Sequence, residues 1–398
     1  MKSIAARPAW WTVFAKEVIE NSRDRRTLMT SLLLGPLIGP ILFTIMLGFT
    51  IAKQIRDSEA TLLLPVVGPE NAPNLIIFLK QQGVHILPAP DDAEADIRDQ
   101  KHPVVLRIPA DYPKQWRDGE PAVVELLHDS SRQDAQTPYE RVKVLIAGYT
   151  KEMGALRLLA RGVAPVVGSP LALAERDLST AQSRAGLLLA ILPYFLVVAI
   201  FIGGMYLAID VTAGERERQS LEPLLMTPVA RDQLVIGKLL AISVYALLSV
   251  AISVVAFAVC LRFVPTAELG FDLKLPPANG LMIWFTAAPL ALVASALQTL
   301  AAARAKTFRE AQSYLQLMMF IPLVPSLMQM INPGKPPEWL YRVPIFSQSL
   351  LIGGLGRGEW PSMAHLGLSW ATTLVLALLL AYGAILAYRQ ERVAFGLP

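Results

Sequence analysis

Charge-free apolar runs dominate the hydrophobic pattern of this chain. Six runs of 23 to 29 residues contain no Asp, Glu, Lys or Arg. A helix needs about 20 apolar residues to cross the hydrocarbon core of a bilayer, so each run predicts one membrane-spanning helix. The six predicted spans are Thr27–Ala52, Ala185–Ile209, Leu239–Leu261, Leu275–Ala303, Ala311–Gly334 and Trp360–Tyr388.

Composition supports a membrane location, and the distribution of charge predicts how the chain is oriented in the membrane. The chain is 54% hydrophobic and 17% charged, whereas soluble proteins carry about 25% charged residues. Six spans place both termini on one side, and that side holds 15 Lys and Arg against five in the short connections opposite. Positive residues accumulate on the cytoplasmic side, so we predict a cell inner (plasma) membrane protein with both termini in the cytoplasm. The net charge of +4 is too small to indicate a nucleic-acid partner.

A long segment, residues 53–184, separates the first two predicted spans and falls on the extracytoplasmic side. Short runs typical of strands alternate there with runs typical of helices, and turn residues lie between them. The pattern predicts a small α/β extracytoplasmic domain. The strand-like runs are Thr61–Val67, Pro103–Ile108 and Ala122–Leu127, and the helix-like runs are Asn74–Gln82, Ala93–Gln100 and Ala135–Leu159.

Signals for catalytic, metal or nucleotide chemistry are missing from the sequence. The single cysteine, Cys260, excludes an intramolecular disulfide and a multi-cysteine zinc site. The four histidines are scattered and form no HExxH pattern, and no GxxxxGK[ST] phosphate loop is present. We therefore predict no catalytic residues, no metal site and no cofactor bound by this chain. If transport is driven by ATP, a partner must hydrolyse it.

The polar side chains within the predicted spans are neutral. A lining for a substrate path and interhelical hydrogen bonds that hold the bundle together are both open interpretations. Gln312 and Gln316 are four residues apart, so they share one helix face. The candidates for path lining are Ser295, Gln298, Thr299, Gln312 and Gln316.

The cytoplasmic tail, residues 1–26, has the pattern of an amphipathic helix. Trp11, Phe14 and Val18 form an apolar stripe, and Lys16, Glu20 and Arg23 form a polar one. Aromatic and basic residues in this arrangement suit the inner interface of a membrane, so lipid is an expected partner. The tail is therefore predicted to be an interfacial helix that anchors the chain, and docking of a partner protein is the other interpretation.

The connection between predicted spans two and three, residues 210–238, is charged in its first part and apolar in its second. A short element of this kind suits a groove on a cytoplasmic partner, although a charged run alone is typical of a solvated loop. Two prolines, Pro223 and Pro228, interrupt it. The candidate partner-contact residues are Glu215, Arg216, Glu217, Arg218, Leu221, Glu222, Pro223, Leu224, Leu225, Thr227 and Pro228.

This stretch resembles a signature of type-2 ABC exporter permeases, of the form G-E-[RK]-E-R-x-[ST]-L-E-P-L-L-x-T-P. Residues Gly214 to Pro228 match it, and Gln219 stands where glycine is common in the family. The downstream run Gly237-Lys238-Leu239 also fits. The layout of an interfacial helix, six spans and an outside domain between the first two agrees as well. The sodium-export (Nat) branch of the family is the most similar.

The resemblance implies a permease subunit that works as a dimer with two ATP-binding subunits. The second copy would be identical or a close paralogue, and ATP and Mg²⁺ would bind the partner subunit. The connection between spans two and three would act as the ATPase-coupling segment, helped by the interfacial helix. The cargo stays open among sodium ion, drug, lipid and peptide.

Two other classes of function compete with an exporter. The same helices could transmit force to an envelope partner without moving a cargo, but that class usually has fewer spans. A membrane-embedded enzyme is the third class, and the missing metal constellation argues against it. The predicted layout is 1–26 interfacial helix, 27–52 first span, 53–184 outside domain, 185–209 second span, 210–238 coupling segment, 239–388 spans three to six and 389–398 cytoplasmic tail.

Overall fold

The fold of the chain comes from a computed structural model that describes residues 8–168, 171, 176, 189–264, 274–332, 334 and 336–389. The chain divides into two compact units. One unit combines Met1–Ile51 with Leu178–Pro398, and the other is Ala52–Asp177. The predicted end of the outside domain at residue 184, the first residues of predicted span two and the tail from residue 390 onward lie outside the described residues.

Six helices of the described chain are long and apolar enough to cross a membrane. This confirms the prediction of a polytopic α-helical membrane protein. Their boundaries differ from the charge-free runs by several residues at some ends. In chain order, spans one to six are Met29–Lys53, Leu192–Glu217, Arg231–Phe263, Pro277–Ala302, Phe308–Ile331 and Met363–Arg389.

Four helical elements form the first part of the described chain, and the last of them continues into the unit Ala52–Asp177. Helix α1 is the predicted interfacial helix, and span one begins in a wider π-helical turn that ends at Gly35. The bounds are α1 Ala9–Arg23, α2 Arg25–Leu28, the π-helix Met29–Leu34 and α3 Gly35–Glu59.

The unit Ala52–Asp177 contains a four-stranded sheet in the order β2-β1-β3-β4. Strand β1 pairs in parallel with β2 and β3, and β3 pairs antiparallel with β4. Aliphatic side chains of the strands and helices bury a core around Leu64, Leu79 and Leu106. The bounds are β1 Leu63–Val67, α4 Pro73–Gln81, β2 His85–Leu87, α5 Ala93–Arg98, β3 Val104–Arg107, α6 Tyr112–Asp118, β4 Glu125–His128 and α7 Gln133–Ala160.

The remaining helices complete the membrane unit. Span five is broken by a 3₁₀ turn at Met318–Phe320, followed by Pro322 at the start of its second half. The bounds are α8 Leu192–Ile209, the π-helix Asp210–Gly214, α9 Glu215–Glu217, α10 Leu221–Leu225, α11 Arg231–Cys260, α12 Pro277–Ala302, α13 Phe308–Leu317, α14 Leu323–Ile331, α15 Phe346–Gly356 and α16 Met363–Arg389.

The helices of spans two and three extend beyond the predicted runs. The sequence boundaries were drawn at the first charged residues, Asp210 and Lys238. The helix of span two instead continues to Glu217, and that of span three begins at Arg231. Charge does not end these helices because side chains of the same chain bind it, as Arg218 does for Asp210 at 2.9 Å.

Helix α15 lies in a connection where the sequence predicted no buried helix. Its apolar stretch is too short to span a bilayer, which is why span criteria miss it. Gln348 is fully buried and ties α15 to span six, because its Nε2 donates to Ser369 Oγ at 3.0 Å and to Thr373 Oγ1 at 2.6 Å. Buried polar groups that find such partners fix one arrangement of neighbouring helices.

Candidate functional site

The signature segment, residues 214–228, begins inside a helix rather than in a loop. The π-helix Asp210–Gly214 carries span two directly into α9. The chain then turns at Gln219, whose φ of 55° lies in the left-handed region, before α10 starts at Leu221. A left-handed position favours glycine, the residue that the resemblance implies is often found there.

A buried ion pair anchors the beginning of this segment. Lys238 Nζ contacts the Glu215 carboxylate and donates to the carbonyl oxygen of Val211 at 2.7 Å. The Lys238 and Glu215 side chains are 1% and 9% exposed. The ammonium also lies 5.9 Å from the centre of the Tyr388 ring. Glu215 therefore binds the base of span three within the chain.

Arg216 binds the end of span four. Its guanidinium donates to the carbonyl oxygens of Ala303 at 2.9 Å and Ala305 at 2.8 Å. The last carbonyls of a helix lack partners within the helix and carry partial negative charge, so a cation stabilises them. Arg216 thus joins the signature segment to the cytoplasmic end predicted for span four.

Glu217 and Arg218 are exposed and also bound within the chain. Glu217 Oε2 accepts a hydrogen bond from the Phe308 backbone N–H at 2.7 Å, at the start of α13. A carboxylate is favourable at the N-terminus of a helix. Arg218 pairs with Asp210. Partial desolvation lowers the pKa of its guanidinium, but the hydrogen bond to Asp210 and the charge of Asp210 raise that pKa overall. The charged half of the segment, residues 214–220, therefore contacts spans two, three, four and five.

The apolar half of the segment, residues 221–228, has a different environment. Leu221 is buried in a cluster with Val235, Leu239 and Tyr388. Beyond it the chain faces outward: Met226 is 86% exposed. Leu224 is half-buried, and Pro223, Thr227 and Pro228 are exposed; Glu222 and Leu225 belong to α10, and their side chains lie outside the described part of the structure.

Helix α1 packs directly on the base of span three. A Cβ atom on Gly237 would lie 2.7 Å from the Trp10 carbonyl oxygen and 2.8 Å from Val13 Cβ. Only glycine permits this approach. Phe14 and Val18 pack against a core cluster of the membrane unit, and Trp11 is 40% exposed.

Sequence reasoning missed the buried polar side of α1. Glu17 and Asn21 are 3% and 4% exposed. Burial raises the pKa of the Glu17 carboxyl, and the positive charge of Lys238 is the strongest influence opposing that shift. The signal was present in the spacing, because Glu17 and Asn21 fall on the face of Phe14 and Val18 when the helix is drawn.

The candidate path-lining residues separate into two groups. Ser295 accepts a hydrogen bond from Ser243 at 2.8 Å, and Gln298 Nε2 donates to the Phe201 carbonyl oxygen at 2.7 Å, so both join neighbouring helices. Among the described residues, Gln298 Oε1 and Thr299 Oγ1 are buried without a hydrogen-bond partner. Gln312 is half-buried and Gln316 is exposed on α13. Within the described residues, no three His, Cys, Asp or Glu side chains are grouped to hold a metal ion.

Comparison with known proteins identifies the family to which this chain belongs. The family model described as ABC-2 family transporter protein matches residues 26–382 of the chain. A curated relative, the ABC transporter permease protein NatB of Bacillus subtilis (strain 168), is 26% identical over 324 residues. That alignment covers 79% of this chain and 80% of the relative.

Proposed function

The chain belongs to the ABC-2 family of transporter proteins, and on this premise we propose that it is the permease subunit of an ATP-driven exporter. Family membership makes it a multi-pass membrane subunit of an ABC transporter and implies an ATP-binding partner subunit. We further propose that this partner docks on the apolar half of the signature segment. ATP and Mg²⁺ bind the partner, and this chain holds no cofactor and no catalytic site.

The division within the signature segment is the observation that carries this proposal. Its charged half is bound to four spans, whereas Pro223, Met226 and Pro228 are exposed. Exposed apolar residues next to a firmly anchored segment suit a docking surface, because apolar contact supplies affinity and the anchor carries force. Glu217 and Arg218 are the exposed charged candidates of the other half.

The contacts of the charged half define the route by which force reaches the bundle. When the ATP-binding subunits close, displacement of the apolar half acts on Glu215, Arg216 and Glu217. Each of these side chains binds a different element: the base of span three, the end of span four and the start of span five. One movement of a short segment is thereby distributed over several spans, as a rigid-body switch requires.

The setting of the exporter follows from the charge pattern and the layout. We propose that it lies in the cell inner (plasma) membrane with both termini in the cytoplasm and the α/β unit on the extracytoplasmic side. It works with a second permease copy, identical or closely related, and α1 lies at the lipid interface. Gln298 and Thr299 are the buried candidates for the path, since each has a side-chain oxygen without a hydrogen-bond partner among the described residues. The cargo is a sodium ion, drug, lipid or peptide.

Co-purification tests the docking surface directly. The full chain is isolated from its native membranes in mild detergent, with and without vanadate, and its companions are identified by mass spectrometry. We expect an ABC ATP-binding subunit at near-equal amount. Met226→Glu places a charge on the docking surface and should reduce that subunit at least several-fold.

A matched control is Val123→Glu, which changes an exposed apolar residue of the α/β unit. Val123 is 54% exposed, and the variant should retain the wild-type amount of the ATP-binding subunit. Absence of any ATP-binding subunit from the wild-type sample, even when vanadate traps the complex, would overturn the proposed function. Equal retention by Met226→Glu would overturn the docking surface alone.

A further inference from the structure

Four charged side chains form two ion pairs near the base of span three. Lys16 Nζ lies 3.1 Å from Glu17 Oε1; the Lys16 side chain is 54% exposed and the Glu17 side chain 4% exposed. Lys238 and Glu215 form the second pair, which is buried. Two lysines and two carboxylates balance in charge, and Lys238 is the member that acts on both carboxylates.

Lys238 cannot remain buried without a counter-charge. Removing one partner of a buried ion pair is strongly destabilising because the other charge is left without compensation. In this structure its partner is Glu215, which belongs to the signature segment. Any movement that carries Glu215 away from span three therefore has to supply Lys238 with another anion.

Glu17 is the carboxylate placed to fill that role. It is buried, it lies on α1, and α1 approaches the base of span three as closely as Gly237 allows. The charges of Lys238 and Glu215 both influence the Glu17 carboxyl. The Val211 carbonyl oxygen adds a neutral acceptor for Lys238, but it does not balance charge.

We propose that Glu17 is a positioning residue for transport, serving as the alternative counter-charge of Lys238. Lys238 binds Glu215 in the resting arrangement and Glu17 when the signature segment moves. The exchange ties α1 to the coupling movement and lets Glu215 leave without stranding a buried ammonium. No bond other than hydrogen bonds and ion pairs is made or broken. The movement itself rests on the proposed function.

The first test uses the stability of the full chain and needs no partner. Glu17→Gln and Glu215→Gln each leave Lys238 one carboxylate, whereas the double variant leaves none. We expect the melting temperature of the double variant to fall by more than the sum of the two single changes. Adding Lys238→Met to the double variant removes the stranded charge and should restore most of the loss. Additive changes, or no restoration, would overturn the proposal.

The second test separates a positioning role from a structural one. In the complex with the ATP-binding subunit, Glu17→Gln should keep the melting temperature at or above the wild-type value but lower transport-coupled ATP hydrolysis several-fold. Glu20→Gln is the matched control, because Glu20 lies one turn along the same helix with a side chain 66% exposed. It should behave as wild type. Unchanged coupling in Glu17→Gln would overturn the proposal.

Failure of the proposed function is distinguishable from failure of this inference. If the wild-type chain has no ATP-binding partner, the function fails while the stability test still decides whether Lys238 shares two carboxylates. If the partner binds and Glu17→Gln couples normally, the function stands and the exchange is wrong.

Discussion

The two halves of the signature segment differ in burial, and the difference is the opposite of what their composition suggests. The charged half looks like the partner-facing part, yet Glu215 is buried, and Glu215 and the three residues after it bind four spans of the same chain. The apolar half looks like core, yet Met226 is almost fully exposed. Dense charge beside a membrane span therefore marks an anchor here, and the exposed apolar residues mark the free surface.

The largest effect should come from breaking the anchor at its buried end. Lys238→Met leaves the Glu215 carboxylate buried without its ammonium, which should cost about 3–5 kcal/mol of unfolding free energy. Thermal unfolding of the full chain in detergent measures this loss. Lys16→Met, which removes a half-exposed ammonium, is the control and should cost less than about 1 kcal/mol. Equal losses would mean that burial does not distinguish the two lysines.

The contact between α1 and span three offers the next largest effect. Gly237→Ala forces a methyl group against the Trp10 carbonyl oxygen, and overpacking of this kind costs about 1–3 kcal/mol. Gly367→Ala is matched, since Gly367 also lies in a span but its added Cβ meets no atom within 4 Å. That control should be neutral or stabilising. A neutral Gly237→Ala would show that α1 is not held at this distance.

The pH dependence of stability should be smaller and carries a definite sign. Burial raises the pKa of Glu17 above its ordinary value of 4.5, so the folded chain binds more protons than the unfolded chain just above pH 4.5. The protonated Glu17 carboxyl therefore contributes to stability fully below pH 4.5, and this contribution is lost as the pH rises through the raised pKa. The charges that influence the pKa of Glu17 are those of Lys16, Lys238 and Glu215. The Glu17 carboxylate in turn exerts its charge on the Tyr388 hydroxyl.

Glu17→Gln should flatten this part of the stability profile above pH 4.5. The measurement is the melting temperature of both proteins at several pH values, with Glu20→Gln as the control. Parallel profiles for wild type and Glu17→Gln would contradict the burial of the carboxyl.

The smallest effect concerns the turn between the two halves. Gln219 holds a left-handed backbone, so Gln219→Gly should stabilise the chain by about 0.5–1 kcal/mol. Gln233→Gly, placed within the helix of span three, should destabilise it by about 1 kcal/mol. The pair is compared by chemical or thermal unfolding. If Gln219→Gly destabilises the chain, the contacts of the Gln219 side chain contribute more to stability than relief of the left-handed backbone does.

Sequence patterns predicted the spans because hydrocarbon imposes one requirement on about 20 consecutive residues. Their ends were misplaced where charge is bound within the chain, as at Asp210 and Lys238. Helix α15 is not predicted from the sequence because its buried apolar stretch, around Leu351, is shorter than a membrane span. Each of these errors concerns a tertiary contact, which local hydropathy does not contain.

The sequence predicts where the candidate site lies, but not which of its residues contact the rest of the chain and which are exposed. The resemblance selected residues 214–228, and the structure shows which of them face inward. Glu17 is absent from the prediction because the sequence places the polar stripe of α1 at Lys16, Glu20 and Arg23. The burial of Glu17 depends on packing of α1 against span three, which lies more than 200 residues away, so no local pattern specifies it.

Site-specific photo-cross-linking shows which half of the signature segment contacts the ATP-binding subunit. A photoreactive amino acid is placed singly at positions 217, 218, 226 and 228, and membranes containing the full complex are irradiated. We predict the strongest cross-link to an ATP-binding subunit from position 226 and weaker ones from 217 and 218. Cross-links from 217 and 218 with none from 226 would contradict it, because the charged half would then be the docking surface.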